Sequence, residues 1–423
     1  MDGPAALQDR SLRKLNSLLE VSKAMAAAID LDSLLGVILD RATAVMEAER
    51  ASLFIYDEET GTLWNRISGS LGRGDLRLPL GTGIAGRVAQ TGVLLNIPDA
   101  YADPRFNPEV DRQTGFRTRS ILCAPLVGHA GRLTGVIQLL NKSGGGVFTR
   151  EDEEMLEAFA SHAAVALDRA RLVEAFVEKE RIEEALRLAH DIQMGMLPRP
   201  LAGEGRVELA AALEPARSVG GDLYDFLVEG DRLWFMVGDV SGKGVASALF
   251  MAVAKTLFRA SIQTETPLAT VLARVNRELC RDNERAMFVT AFAGCLDLAS
   301  GEAVVSNAGH NPPYRLGPEG SVAPAPEAPG IPLGVIADYV HAEARLRLGR
   351  GEALFLYTDG VTEATNAQGE AFGAGRLEAF LGKAATPRPK DLVRGSLAAV
   401  RDFEGGTPPS DDLTVMAIRY LGG

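Results

Sequence analysis

Residues 220–244 read GGDLYDFLVEGDRLWFMVGDVSGKG, and this stretch predicts a β-hairpin flanked by acidic side chains. The pair Gly230-Asp231 suits a two-residue hairpin loop, because glycine readily takes the first position of such a turn. With the loop there, Asp222 lies opposite Asp239 across the two strands. Cross-strand neighbours share a face with their Cβ atoms about 5 Å apart, so we expect the two carboxylates to lie close together.

Two like charges at that spacing destabilise a sheet, or raise the pKa of one carboxyl group, unless a cation lies between them. Two more acidic segments lie at predicted strand ends: Asp359 follows the apolar run at 353–357, and Asp411-Asp412 precedes the apolar run at 413–420. Each alone is typical of a turn or a strand cap. Together, the four acidic strand ends favour a site for two Mg²⁺ or Mn²⁺ ions, which prefer oxygen ligands. Because two-metal sites hydrolyse phosphate esters, this is the predicted chemistry.

The composition of the chain is that of a folded protein without a disulfide framework. Its 423 residues include 44 Lys plus Arg against 56 Asp plus Glu, which gives a net charge of −12. Such a charge repels nucleic acid, so no nucleic-acid partner is expected. The three cysteines form no CxxC pair. No apolar run approaches the roughly 20 residues of a membrane span, so we expect a cytoplasmic protein with no membrane partner.

The hydrophobic periodicity divides the chain into two folded domains joined by a helix. An extension at 1–14 precedes an α+β domain at 15–173, in which two helices are followed by strands of an antiparallel sheet at 51–56, 62–67, 121–127 and 133–140. A helical linker at 174–198 ends at Pro198 and Pro200. The second domain, at 199–423, alternates strands with helices near 245–259 and 267–282 and ends on a strand. The predicted fold class is therefore α+β.

The linker carries residues at the alternating three- and four-residue spacing of a heptad repeat. The positions are Leu172, Ala175, Lys179, Ile182, Leu186, Ala189, Gln193 and Met196. This seam favours a coiled coil that pairs in a homodimer, although Lys179 and Gln193 weaken it. The alternative is a lone amphipathic helix between the domains.

Two glycine-rich stretches match nucleotide-binding loops only in part. Residues 81–86, GTGIAG, fit the GxGxxG pattern, but too few residues follow before Gly92 for the helix that a βαβ unit needs. Residues 238–244, GDVSGKG, are one residue short of a phosphate loop and contain an aspartate that would repel phosphate. We interpret the first stretch as a structural turn and the second as part of the metal site.

Six stretches in and just before the second domain follow one another in a characteristic order: 191–198 (DIQMGMLP), 219–225 (VGGDLYD), 238–244 (GDVSGKG), 307–313 (NAGHNPP), 357–363 (YTDGVTE) and 411–414 (DDLT). With these stretches in family order, the second domain resembles the SpoIIE-type branch of the PPM metal-dependent serine/threonine phosphatases. The resemblance implies an α/β/β/α sandwich of two antiparallel sheets flanked by helices. It also implies a ligand set for two metal ions: a bridging Asp239, the Val240 carbonyl, Asp222, Asp359, and Asp411 or Asp412, of which Asp411 fits the family motif better.

The same resemblance implies a substrate, namely a phosphorylated STAS-type anti-sigma factor antagonist. No cysteine or histidine stands in a nucleophile motif, so direct attack by water is predicted. His310 is a candidate general acid, but its stretch follows a strand and ends in prolines, which favours a supporting turn. Lys243 and Arg217 are candidates to attract the phosphoryl group, with solvated surface residues as the alternative.

In the first domain, the stretch 81–92 is followed by 93–98, 120–125 and 134–142. In this order the stretches resemble a GAF sensory domain over residues 15–173. Asn141-Lys142, Phe148 and Asp152-Glu153 fit the Asn-Lys-Phe-Asp-Glu signature of cyclic-nucleotide-binding GAF domains. We favour the interpretation that Lys142 pairs with Asp152 or Glu153 and ties the sheet to the following helix, with cyclic-nucleotide binding as the weaker alternative. The signal itself, a small molecule or a protein, is not specified by these residues.

Three functions are compatible with this organisation. The leading hypothesis is a signalling phosphatase that acts on phosphoserine or phosphothreonine of a protein and is gated by the GAF domain through the helical linker. The competing hypothesis is a non-catalytic dimeric scaffold that binds a phosphoprotein. A nucleotide cyclase is a third and weaker hypothesis, because no motif for a base-specific pocket supports it.

Overall fold

The computed structural model describes residues 23–25, 27, 30–67, 77–199, 201, 205–264, 267–317, 320–383 and 388–422. The chain forms two compact units, Met1–Arg181 and Ile182–Gly423. The predicted extension at 1–14 lies outside the described residues, as does nearly all of the first of the two predicted N-terminal helices. The predicted domain boundaries stay predictions.

The first unit contains one six-stranded antiparallel sheet with helices on both faces. Its main elements are α1 (Leu31–Val45), β1 (Ala48–Asp57), β2 (Thr62–Ile67), β3 (Arg77–Pro79), α2 (Gly83–Thr91), β4 (Leu95–Ile97), α3 (Glu109–Thr114), β5 (Ile121–Val127), β6 (Leu133–Lys142) and α4 (Arg150–Met196), which continues into the second unit. The strand order is β3-β2-β1-β6-β5-β4. This confirms the predicted α+β class and the predicted strands.

The alternation of side chains along β1 explains why both faces of this sheet are covered. Leu53 and Ile55 lie in a core with α1 and the first part of α4, whereas Phe54 points to a second core with α2. Successive side chains of a strand point to opposite faces, so an uninterrupted apolar strand needs a packed layer on each side. In α4, Leu156, Phe159 and other buried residues recur at helical spacing.

The predicted tie between this sheet and α4 is confirmed. Lys142 Nζ lies 3.0 Å from Asp152 Oδ1, and it also donates to the Met46 carbonyl. Both side chains of the ion pair are largely buried. The Asn141 side chain also makes a structural contact, because its Oδ1 accepts a hydrogen bond from the backbone N–H of Arg119. These signature residues therefore hold the fold together.

The glycine-rich stretch at 81–86 forms a turn, as predicted. Gly81 N donates to Gly86 O at 2.8 Å, and Thr82 N donates to Pro79 O. Gly81 and Gly83 both have positive φ, which favours glycine. The stretch leads from β3 into α2. The two strands that pair with β2, namely β1 and β3, are both antiparallel to it.

The second unit is a sandwich of two antiparallel sheets with helices outside each. Its elements are β7 (Val207–Glu214), β8 (Leu223–Glu229), β9 (Arg232–Val240), α5 (Val245–Ile262), α6 (Leu268–Cys280), β10 (Val289–Asp297), β11 (Glu302–Ala308), β12 (Tyr314–Leu316), β13 (Val322–Pro324), β14 (Ala344–Arg347), β15 (Ala353–Tyr357), α7 (Asp359–Glu363), α8 (Gly373–Leu381), α9 (Pro389–Glu404) and β16 (Leu413–Tyr420). The sheets have the orders β14-β11-β10-β9-β8 and β13-β12-β15-β16-β7.

Three apolar cores hold this sandwich. One lies between the sheets, a second joins the first sheet to α5 and α6, and a third joins the other sheet to α8 and α9. The layers are therefore helix, sheet, sheet, helix, which confirms the predicted α/β/β/α architecture.

The predicted hairpin has the predicted register. Glu229 pairs with Arg232 and Leu223 pairs with Gly238, with Gly230 at φ +60° in the turn. Tyr224 and other apolar residues of the predicted face lie in the core between the sheets. The register extends to the strand ends and brings Asp222 next to the end of β9.

The opposite face of β8 carries a buried ionic cluster that fastens α5 to the sheet. Asp225 is 1% exposed and accepts two hydrogen bonds from the Arg259 guanidinium, at 2.5 and 2.6 Å. Lys255 Nζ lies 3.3 Å from the same carboxylate. A buried charge of this kind is tolerated only when it is paired.

Within the described residues, α5 is the one helix that is long and apolar enough to cross a membrane, by length and composition alone. Seven of its residues, among them Met251, Lys255 and Phe258, are buried in the second unit. Its apolar composition is thus accounted for by packing on β8 and β9.

Removal of the Asp225 carboxylate should destabilise the protein strongly. The change Asp225→Ala leaves the buried Lys255 ammonium without its partner, and we expect a loss of about 3–5 kcal/mol in the free energy of unfolding. Chemical denaturation measures this. Asp231→Ala, which removes an exposed carboxylate paired with Arg206, is the matched control and should change stability by less than about 1 kcal/mol. Equal losses in the two variants would contradict the assignment.

Candidate active site

The acidic residues singled out from the sequence all lie at one end of the sandwich. Asp222 immediately precedes β8 and Asp239 lies near the end of β9, while Asp359 begins α7 directly after β15. Asp411 and Asp412 immediately precede β16. Because β15 pairs with β16 and β8 pairs with β9, each sheet contributes one adjacent pair of acidic strand ends.

Thr358 connects the two sheets at this end. Its hydroxyl donates to Asp222 Oδ2 at 2.7 Å and accepts from Thr414 N at 3.1 Å. Thr358 and Asp222 are almost completely buried. Thr358 lies in the matching stretch at 357–363, but the sequence predicts no role for it, because nothing in the sequence shows which carboxylate its hydroxyl contacts.

The carboxylates interact strongly with one another. The pKa of Asp222 is raised well above its ordinary value, first by burial and then by the charge of Asp239. Burial, followed by the charges of Asp359 and Asp411, raises the pKa of Asp239 to about 7. The pKa of Asp359 is raised by burial, by Glu363 and by Asp411. The site therefore has an excess of negative charge.

Asp411 and Asp412 have different environments although they are neighbours. Asp412 is 7% exposed, and its two oxygens accept from Ala216 N at 2.9 Å and from Gly221 N at 2.8 Å. Asp411 is more exposed, and its Oδ2 lies 2.8 Å from Lys243 Nζ. Asp412 thus holds the loop before β8, whereas Asp411 remains the candidate ligand, in line with the sequence prediction.

Three glycines are required here because segments of the chain approach one another closely. A Cβ atom at Gly220 would lie 2.0 Å from Asp412 Oδ2, and one at Gly360 would lie 2.0 Å from the Asp412 carbonyl. A Cβ atom at Gly221 would lie 2.8 Å from the Val240 carbonyl oxygen and 3.4 Å from Asp239 Oδ1. Val240 O and Asp239 Oδ1, both predicted ligands, therefore flank the same glycine.

The remaining candidates have different environments. His310 is buried, its Nδ1 lies 3.0 Å from Thr290 Oγ1, and the Asn307 side chain bonds both its N–H and its carbonyl. Burial lowers the pKa of His310 to about 4, so the ring is neutral near pH 7 and is poorly suited to donate a proton. This favours the supporting turn. Lys243 pairs with Asp411, and Arg217 is exposed.

The sequence models of known families match both units. The model for stage II sporulation protein E (SpoIIE) matches residues 229–421, and the GAF domain model matches residues 30–167. The chain joins a GAF domain to a SpoIIE-type phosphatase domain. The PP2C domain of SiaA from Pseudomonas aeruginosa has the same fold, with a TM-score of 0.51 at 22% identity over 57% of this chain and 98% of that one.

Curated relatives share only part of their length with this chain. The probable 3',5'-cyclic phosphodiesterase pde-5 of Caenorhabditis elegans is 37% identical over 194 residues, which is 43% of this chain and 26% of the relative. The dual 3',5'-cyclic-AMP and -GMP phosphodiesterase 11A of Takifugu rubripes is 35% identical over 190 residues, 41% of this chain and 21% of the relative. The chain spans about a quarter of these proteins, so their activity is not transferred to it.

The donor atoms of the SpoIIE-type domain fit Mg²⁺ or Mn²⁺ in chemistry. They are carboxylate and carbonyl oxygens, and the excess negative charge around Asp239 is what a hard divalent cation would neutralise. Among the described residues, no three His, Cys, Asp or Glu side chains are arranged to hold one ion together.

The change Asp239→Asn should stabilise the metal-free protein. The folded-state pKa of about 7 lies above the ordinary value of 3.8, so the native state of the wild type loses stability as the pH rises from about 4 to about 7. This loss in the free energy of unfolding is at most about 4 kcal/mol. The asparagine variant has no carboxyl group at this position and should not show the loss. Thermal denaturation with a chelator between pH 4 and pH 8 measures the difference.

The control for this experiment is Asp402→Asn, which alters an exposed carboxylate of α9. It should follow the wild type at every pH. Mn²⁺ should raise the melting temperature of the wild type and of this control more than that of Asp239→Asn. If Asp239→Asn were less stable than the wild type at pH 8 without metal, the repulsion described here would be contradicted.

Proposed function

We propose that the protein is a cytoplasmic signalling phosphatase that hydrolyses phosphoserine or phosphothreonine on a protein partner. The observation that carries this proposal is the gathering of Asp222, Asp239, Asp359 and Asp411 at one end of a SpoIIE-type domain, where burial and mutual repulsion raise the pKa of the first three. A cluster of perturbed carboxylates marks a functional site more often than a structural one.

In this proposal two Mn²⁺ or Mg²⁺ ions would be held by Asp239, Asp222, Asp359, Asp411 and the Val240 carbonyl. Such ions supply an activated water and neutralise charge on the phosphoryl group. The chain itself orients the ligands: Thr358 fixes one oxygen of Asp222, and Asp412 fixes the loop before β8. Lys243, whose Nζ lies 2.8 Å from Asp411 Oδ2, is our candidate to contact a phosphoryl oxygen.

The substrate proposed from the family resemblance is a phosphorylated STAS-type anti-sigma factor antagonist. A protein substrate fits a site in which Asp411 is partly exposed. The variant Asp359→Asn replaces a proposed metal ligand with a side chain of similar size, and we expect it to retain such a phosphorylated partner in a pull-down.

Hydrolysis of p-nitrophenyl phosphate and of a phosphoserine peptide should depend on Mn²⁺ and on Asp239. We expect Asp239→Asn to lose at least about a hundredfold in kcat/KM, because loss of even an indirect partner of a metal site reduces activity by 10–100-fold. The matched control Asp231→Asn changes an exposed carboxylate on the same hairpin and should keep wild-type activity.

The result of that assay also separates the competing functions. Absent turnover, with the phosphopeptide still bound, would favour the non-catalytic scaffold. Formation of a cyclic product from ATP or GTP with Mg²⁺ would favour the cyclase.

We place the input signal in a cavity of the GAF domain. The cavity has a volume of about 200 Å³ and is lined by apolar residues such as Phe54 and Phe116 together with the polar side chains of Arg50, Asn107 and Gln138. Small-molecule sites combine an apolar lining with a few polar groups in this way. This supports a small molecule as the signal, and cyclic nucleotides are the first probes because the curated relatives are phosphodiesterases.

We also propose that α4 pairs in a homodimer and changes its pairing or register when the signal binds. The helix is continuous over Arg150–Met196, and apolar side chains of the predicted seam are exposed, with Leu172 at 71% and Ile182 at 53%. Exposed apolar residues at heptad spacing favour a second helix as their partner. Gln193, by contrast, is buried within its own unit, so the seam ends before it.

Polar substitutions in the seam should dissociate the dimer. We expect the double change Ile182→Gln and Leu186→Gln to convert the protein to a monomer and to alter basal phosphatase activity, as measured by analytical ultracentrifugation and hydrolysis. Leu188→Gln is the control, because Leu188 is 61% exposed but lies outside the heptad positions. No change in mass or activity for the double variant would count against the pairing.

A further inference from the structure

The loop between β13 and β14 is held in place by a buried asparagine. Asn276 of α6 is fully buried, and its Nδ2 donates to the carbonyls of Ile336 and Ala337 at 2.7 and 3.1 Å. Its Oδ1 accepts from Gly334 N at 2.8 Å. Within the loop, Tyr339 N donates to Ile336 O at 3.1 Å. These contacts all involve the backbone of the loop, so its conformation does not depend on its outward side chains.

This loop presents apolar side chains to solvent. Val335 is 52% exposed, Ile336 54% and Val340 74%. Exposed apolar residues that occur singly are common on proteins, whereas a group of them is typical of an interaction site. Because the backbone beneath them is already ordered, a partner that covers these side chains loses little conformational entropy on binding. We call Val335, Ile336 and Val340 the apolar patch.

The apolar patch lies beside the strand ends that carry proposed metal ligands. Leu333, two residues before the patch, pairs with Val289 at the start of β10. Val289 in turn pairs with Val240 at the end of β9. Neighbouring strands lie about 4.8 Å apart, so the backbone of Leu333 lies about 10 Å from that of Val240. The patch is therefore at the same end of the sandwich as the metal site.

We infer that the apolar patch docks the folded protein that carries the phosphorylated residue, through an apolar surface next to that residue. This rests on the proposed function, since it takes the metal site as the place where the phosphoryl group binds. The side chain of phosphoserine is short, so a folded partner whose phosphoryl group enters the site must cover the surface around it. The patch lies within that surface.

Charge argues against a second copy of this chain as the occupant. The carboxylates of Asp222, Asp239, Asp359 and Asp411 lie at the same end of the sandwich, and the whole chain has a net charge of −12. Pairing two copies through the patch would bring two such acidic ends towards each other, and like charges across an interface oppose association. A different protein with an apolar surface is therefore favoured.

The double variant Val335→Gln and Ile336→Gln tests this docking in the full chain. Its substrates are a phosphorylated STAS-type antagonist as the folded probe, a phosphoserine peptide of the same sequence, and p-nitrophenyl phosphate, each with Mn²⁺. For the folded probe, we expect kcat/KM to fall at least about tenfold, which corresponds to about 1.4 kcal/mol. For the two small substrates it should stay at the wild-type value, because neither presents a folded surface to the patch.

The matched control is Val93→Gln, which changes a valine of the first unit that is 59% exposed. It should behave as the wild type with all three substrates. If the double variant does not fold, Val340→Gln serves instead, because its side chain is the most exposed of the patch. It should lower kcat/KM for the folded probe alone, and no effect would overturn the inference.

Four results with the double variant or the wild type would overturn the docking role. The first is an unchanged kcat/KM for the folded probe, and the second is an equal loss for all three substrates, which indicates damage to the site itself. The third is a wild type that shows no preference for the folded probe over the peptide. The fourth is a lower mass of the double variant in analytical ultracentrifugation, which would assign the patch to a second copy.

Binding of the unphosphorylated folded probe in the presence of a chelator separates this inference from the phosphatase proposal. Docking through an apolar surface needs neither metal nor a phosphoryl group, so fluorescence anisotropy should show a dissociation constant about tenfold higher in the double variant. If this difference were found while the wild type hydrolysed no phosphate ester with Mn²⁺, the phosphatase proposal alone would fail. A wild type that does not bind the folded probe would overturn the docking.

Discussion

The second unit depends on holding several carboxylates together against their own repulsion. Three of them, Asp222, Asp239 and Asp359, have raised pKa values because they are buried and close to one another. The packed layers around them provide the stabilising free energy that offsets this repulsion, since apolar cores lie between the sheets and beneath each pair of helices. Hydrogen bonds from Thr358 and from backbone amides then fix the orientation of individual carboxylates. The fold thus consists of packed apolar layers that hold a cluster of negative charges together, and this cluster favours the binding of a cation.

The parts of this arrangement that the sequence predicts are local in origin. The hairpin register follows from one glycine turn and the alternation of apolar side chains, and it is correct to the residue at both Leu223 and Glu229. The helices and the last strand follow from periodicity in the same way. The acidic strand ends were identifiable because each lies next to a regular apolar run.

Contacts between distant segments could not be predicted from one sequence. The roles of Thr358 and Asp412 arise where different strands meet, 136 and 191 positions from their partners. Gln193 satisfied a heptad pattern, yet its partner is the backbone of its own domain. The GAF cavity could likewise not be predicted from the sequence, because Arg50, Phe116 and Gln138, which line it, lie in separate parts of the chain. By contrast, Lys142 and Asp152 are close enough in sequence for their pairing to be foreseen.

The two identical residues of the dipeptide Asp411-Asp412 make different contacts. The Asp411 carboxylate is partly exposed and lies against Lys243, whereas the buried Asp412 carboxylate accepts hydrogen bonds from the amides of a neighbouring loop. Neither residue has a chemical property that the other lacks, and only direction separates them. A longer acidic side chain at the inner position would have to displace Gly220, where not even a Cβ atom has room beside Asp412 Oδ2, so the requirement for aspartate at this position is a matter of available volume as well as of charge.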